Sequence, residues 1–131
     1  MLIELVRVVK FPSSPWLAQI RTPLGGTSVR WCGDQAAGPG EYHVEWTVDE
    51  DIAWGRNAKP ATEAGPGLRS GGRCVVLRGR LNLTVDGAAV LDLDGTQVLL
   101  DLAAPLSEGL AGTWVELFLE REKVALHPFQ L

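Results

Sequence analysis

The chain has 131 residues, 46% of them hydrophobic and 21% charged, with a formal net charge of −4. That length suits one domain built on one core, and the composition excludes a disordered chain or a coiled coil. No apolar run approaches the ~20 residues that cross a bilayer, so no membrane segment is expected.

The opening Met1-Leu2-Ile3-Glu4-Leu5-Val6-Arg7 carries an acid within its apolar stretch and has no basic leader. It does not read as a signal peptide. Two cysteines, Cys32 and Cys74, do not make a disulfide scaffold, and a cytoplasmic location with free thiols is expected. Acidic residues outnumber basic ones both before residue 55 and after residue 73. Between them, Arg56, Lys59, Arg69 and Arg73 face only Glu63.

In chain order, residues 2–10, 16–21, 27–31 and 41–49 read as strands separated by proline and glycine clusters. The last of these alternates cleanly, predicting Tyr42, Val44, Trp46 and Val48 inward and His43, Glu45, Thr47 and Asp49 outward. Residues 55–73, with five glycines and two prolines, predict a long, flexible basic loop, with room for one short helix over 60–64.

From residue 75 the pattern is regular. Val75, Leu77, Gly79, Leu81 and Leu83 share one strand face. Asp94-Gly95 signals a two-residue turn that pairs Leu93 with Thr96, Leu91 with Val98 and Ala89 with Leu100. Across Val85-Asp86-Gly87, a three-residue loop with Gly87 left-handed pairs Leu81 with Leu91 and Leu83 with Ala89. The same register sets Arg80 opposite Asp92 and Arg78 opposite Asp94. Residues 104–112 leave room for one or two helical turns. Val115-Leu117-Leu119 and Val124-Leu126 then predict a hairpin turning near Arg121-Glu122.

Meander, short helix and hairpin over residues 74–129 together resemble the OB-fold, a five-stranded partly open barrel. Gly79 fits a strand that must bend sharply. The expected fold is therefore an all-β small barrel over the single domain 1–131, OB-like in its C-terminal half with extra N-terminal strands. A β-sandwich is the alternative. The resemblance implies a ligand face on the barrel's second and third strands. In this register that face would show Asp92, Asp94 and Asp101 with no base, which disfavours single-stranded nucleic acid.

No motif points to catalysis. The G-x-S-x-G elbow and the phosphate-binding loop are absent, and neither Cys32 nor Ser107 sits in an activating context. Cys32, His43, Cys74 and His127 lack the short paired spacing of a zinc site, and no cofactor or metal is expected. The acidic run Asp49-Glu50-Asp51 reads as a solvated turn.

The aromatic residues are more informative. Trp114 and Phe118 fall on the face of their strand opposite Val115, and Trp54 opens the basic segment. Tryptophan beside arginine is the composition of binding surfaces, although the N-terminal strands could instead cover both rings. The expected function is a non-catalytic binding or adaptor domain that contacts another protein. Its contact residues would be Trp54, Arg56, Asn57, Lys59, Arg69, Arg73, Trp114 and Phe118. A single-stranded nucleic-acid binder is the alternative, and a small-molecule barrel or an enzyme without a recognisable motif is a second one.

Overall fold

Apolar residues at every second position turn the first half of the chain into strands with one wet face and one dry face. The computed structural model describes residues 1–107 and 109–131. Strands β1 (Leu2–Val9), β2 (Leu17–Thr22), β3 (Gly25–Trp31) and β4 (Gly40–Val48) bury Ile3 and Leu5, Ala18 and Ile20, Val29 and Trp31, and Val44, Trp46 and Val48. The last strand, Val124–Phe129, joins them to close a barrel in the order β1-β2-β3-last-β4. That last strand runs antiparallel to β4, pairing Leu126 with Trp46. It runs parallel to β3, pairing Leu126 with Trp31.

The middle of the chain forms a second sheet. Its strands are β5 (Ala58–Pro60), β6 (Gly67–Gly71), β7 (Cys74–Leu83), β8 (Ala89–Leu93), β9 (Thr96–Leu100) and β10 (Trp114–Glu120), which makes the closing barrel strand β11. The sheet order is β5-β10-β7-β8-β9, with β6 also paired to β7. Along one edge of β7, β6 covers Cys74–Arg78 and β8 covers Arg80–Leu83. Gly79 stands at that handover, where a Cβ would lie 2.5 Å from the carbonyl oxygen of Asp92.

Both turns of the meander form in the expected registers. Leu93 faces Thr96, Leu91 faces Val98, Leu81 faces Leu91 and Arg80 faces Asp92. Asp94 and Gly95 both have positive φ, as a type I′ turn requires, and Gly87 is left-handed at +85°. The Asp86 carboxyl is held below its ordinary value of 3.8, first by the Thr84 hydroxyl and then by backbone amides of the turn.

The inner face of the second sheet and the barrel interior make one hydrophobic cluster, running from Ile3, Leu5 and Leu126 to Leu77, Leu91 and Leu117. The seam between them is polar and backbone-mediated. Leu68 N–H donates to the Leu24 carbonyl at 3.1 Å, and the Thr27 and Ser70 hydroxyls lie 2.9 Å apart. Gly25, at φ +136°, lets the backbones meet, since a Cβ there would overlap the Leu68 carbonyl.

The fold is all-β with a closed five-stranded barrel, but the barrel does not lie where the sequence places it. β7 to β10 belong to the second sheet, and of the described residues 74–129 only β11 enters the barrel. The expected 115–126 hairpin is replaced by a crossing: a 3₁₀ turn, Arg121–Lys123, carries the chain from β10 into the barrel. Alternation records which face of a strand is buried, not which neighbour buries it, and both arrangements satisfy it. The Glu120–Lys123 pair still forms, at 3.8 Å.

No helix forms over 60–64, where Pro60 ends β5, nor among the described residues of 104–112, which are turns, bends and irregular chain. Glu108, within that second span, lies outside the described residues. The long loop expected over 55–73 is also corrected. It contains β5 and β6, ordered by pairing with β10 and β7, and it buries Leu68.

Candidate functional site

On β10, Val115, Leu117 and Leu119 enter the core, so Trp114, Glu116 and Phe118 must take the outer face. β7 sets Arg80 opposite Trp114, Arg78 opposite Glu116 and Val76 opposite Phe118. On the other side β5 sets Lys59 beside Glu116, and beyond β7 the strand β6 sets Arg69 beside Val76. Two rings and four cations are thus collected on one open sheet face.

The rings carry the cations directly. Lys59 Nζ lies 4.8 Å from the centroid of Phe118, the Arg69 guanidinium 6.0 Å from it, and the Arg80 guanidinium 5.0 Å from the Trp114 ring. Such contacts hold a cation in place while leaving its outer side open to a further anion. Glu116 lies between them with a side chain only 8% exposed, and Arg69 reaches it at 3.5 Å while remaining 57% exposed itself. Arg78 is committed elsewhere. Its guanidinium donates to Glu63 at 2.6 Å and to the Gly65 carbonyl at 2.8 Å, so the expected pairing with Asp94 is replaced. Arg80, although opposite Asp92, stacks on Trp114, while Asp92 accepts from the Gly95 amide.

Of the eight residues expected to make contacts, the fold gathers Lys59, Arg69, Trp114 and Phe118. The rings are half-buried, and the atoms over them belong to cations of β5, β6 and β7 rather than to the N-terminal strands. Arg73 is exposed in the turn before β7, where its carbonyl accepts from the Arg121 amide at 3.2 Å. Trp54, 41% exposed, instead lines an apolar cavity of about 390 Å³ with Leu81, Leu102, Val115 and Leu117. Arg56 turns to the Asp51 carbonyl at 2.9 Å and, with Lys123, borders a cup whose other lining residues are Asp49, Glu50, Asp51 and Asp101. Asn57 is buried and belongs to the fold, not to a contact surface.

Compared with family models, curated proteins and solved structures, the chain matches none of them.

Arg78, Arg80 and Glu116 are members of the face that sequence reasoning did not assign to it. The alternation on β7 put Arg80 outside, but only the β7–β10 register shows that Trp114 is its neighbour. Cys32, His43, Cys74 and His127 are not gathered. His43 leans on Phe129 with ring centroids 6.0 Å apart, and His127 bonds the Thr47 hydroxyl at 3.0 Å. Among the described residues no group of three or more His, Cys, Asp and Glu could hold a metal, and no helix is long and apolar enough to cross a membrane.

Proposed function

We propose that this protein is a non-catalytic binding module that engages another protein through the outer face of its second sheet, and that the partner supplies an acidic segment with an apolar residue. The observation behind this reading is the arrangement around Phe118 and Trp114, where Lys59, Arg69 and Arg80 are held over aromatic rings on an open face. Arginine and tryptophan anchors of this kind dominate interface energetics. Exposed cations steer acidic partners.

A second reading rests on the barrel. A five-stranded Greek-key barrel closed by a parallel β3–β11 pair resembles an OB-fold, whose second and third strands offer a face for single-stranded nucleic acid. With the barrel built from the N-terminal strands, that face is no longer the aspartate row of the meander. Its residues on β2 and β3 are Gln19, Arg21, Ser28 and Arg30. Arg7 on β1 lies beside Gln19, bonded at 2.6 Å, and Phe11 is 54% exposed in the β1–β2 connection. Basic residues on that face, with Arg21 paired to the exposed Glu4 at 3.7 Å, and an exposed aromatic in the adjoining connection supply the charge and the stacking ring that a single strand uses.

One titration separates the two. A fluorescein-labelled Glu/Phe-rich peptide and a labelled single-stranded DNA oligomer are followed by anisotropy at low and moderate salt. The acidic peptide should bind the native chain, weaken with salt, and be lost when Lys59→Glu and Arg69→Glu are combined. DNA binding that survives this double variant and disappears with Arg21→Glu and Arg30→Glu would favour the barrel face. If neither probe binds at low salt, where charge attraction is least screened, both readings fail.

A further inference from the structure

β9 is the outer strand of the second sheet and among the described residues pairs only with β8, while just beyond it the same edge is closed by Ile52, whose amide donates to the Asp101 carbonyl at 2.7 Å and whose carbonyl accepts from the Ala103 amide at 2.8 Å. Its two-residue turn makes Leu93 and Thr96 a hydrogen-bonded pair, so Thr96, Val98 and Leu100 direct their backbone groups to β8. The N–H and C=O groups of Gln97 and Leu99 consequently point away from the sheet. Natural edges are blunted by charge, proline, bulges or a covering element. Thr-Gln-Val-Leu-Leu has neither charge nor proline, and Leu99 is 67% exposed.

A groove of about 710 Å³ runs between this edge and β4 of the barrel. The β4 wall is also unpaired. β1 covers β4 only over Gly40–His43, and beyond that Met1 bonds Val44. Val44 directs its backbone to the β1 side, and alternation sends the groups of Trp46 and Val48 the same way, with no strand there among the described residues. The charged side chains lining the groove are Glu45 and Asp101, both acidic.

We infer that the groove takes an extended peptide segment of another protein as an added strand on β9, with alternating β-branched residues and a lysine or arginine at its ends. Edge addition draws affinity from main-chain bonds and specificity from alternate side chains. Among the described residues Glu45 and Asp101 outnumber the one cation at the lining, the Met1 ammonium, which is already bonded to the Val44 carbonyl at 3.0 Å, and they select a basic-ended segment. A second copy of this chain fits less well, since antiparallel pairing of Gln97 with Leu99 would bring Asp101 of each copy beside Asp94 and Gly95 of the other.

This inference does not depend on the outer-face proposal, which concerns β5, β6, β7 and β10. The probe is a labelled peptide, acetyl-Lys-Val-Thr-Val-Thr-Val-Lys-amide, read by anisotropy and by amide hydrogen exchange of the native chain. Binding should slow exchange at Gln97 and Leu99 by about tenfold or more. Gln97→Pro removes an outward N–H that β8 does not use, and Leu99→Lys sets a like charge against the peptide; each should weaken binding roughly tenfold. Leu99→Val should bind as the native chain does, and circular dichroism checks that each variant is folded. The combined Lys59→Glu and Arg69→Glu variant should bind this peptide unchanged.

Absence of protection at millimolar peptide, or equal binding by folded Gln97→Pro and Leu99→Lys, overturns the inference. So does protection of the same amides by self-association without peptide, which would make the occupant a second copy.

Discussion

Asn57 is 4% exposed, and its side-chain amide is fully occupied. The oxygen accepts from the Ala53 amide at 2.9 Å, and the nitrogen donates to the Asp51 carbonyl at 2.9 Å and to Glu50 at 3.0 Å. The other oxygen of Glu50 accepts from the Glu120 amide at 3.0 Å, and the Asn57 carbonyl accepts from Phe118 at 2.8 Å. One residue therefore ties the bend at 51–57 to β10. Asn57→Ala leaves buried partners unmatched and should cost about 1–3 kcal/mol, measured by urea unfolding. Asn57→Asp keeps the acceptor, loses the donors and sets a carboxylate against Glu50, so it should be at least as damaging. If both variants unfold at the native midpoint, the staple has no energetic role. Polarity and turn context made Asn57 look like a surface residue; its burial depends on a loop closure that leaves no pattern in the sequence.

At the scale of elements, β7 is the strand on which the second sheet is organised, and Gly79 is its tightest point. A methyl group there would meet the Asp92 carbonyl at 2.5 Å and the Leu91 side chain at 2.9 Å. Gly79→Ala should destabilise by about 1–3 kcal/mol through forced separation of β7 and β8, read as a lowered midpoint with displaced amide shifts at Asp92. An unchanged midpoint would mean that the strands separate there without cost. The same strand shows what was legible beforehand. The β7–β8–β9 registers could be read because Asp94-Gly95 and Gly87 fix the turns and each slip would bury a charge. β5 and β6 could not, because Ala58–Pro60 and Gly67–Gly71 hold few apolar residues and take their order from neighbours distant in sequence. The outer face was half legible for the same reason. Trp114 and Phe118 could be set outside from β10 alone, whereas the cations above them depend on which strands flank it.

For the whole molecule, the consequence of inserting a sheet between β4 and β11 is mechanical unity. β11 is made last, yet it supplies the barrel's closing strand and pairs Leu126 with both Trp46 and Trp31. Leu126 is fully buried, in a cluster shared by barrel and sheet. Leu126→Ala should lower stability by about 2–5 kcal/mol. The loss should not be confined to the barrel. If the core is continuous, unfolding is one transition, and tryptophan fluorescence and far-ultraviolet dichroism should share a midpoint before and after the substitution. Hydrogen exchange is the stricter measurement, since it reports each strand separately. Slowly exchanging amides of β2, in the barrel, and β8, in the second sheet, should lose protection by the same free energy. If β8 keeps its native protection while β2 loses it, the two sheets unfold independently. The 3₁₀ crossing at Arg121–Lys123 would then join two separable units instead of locking one.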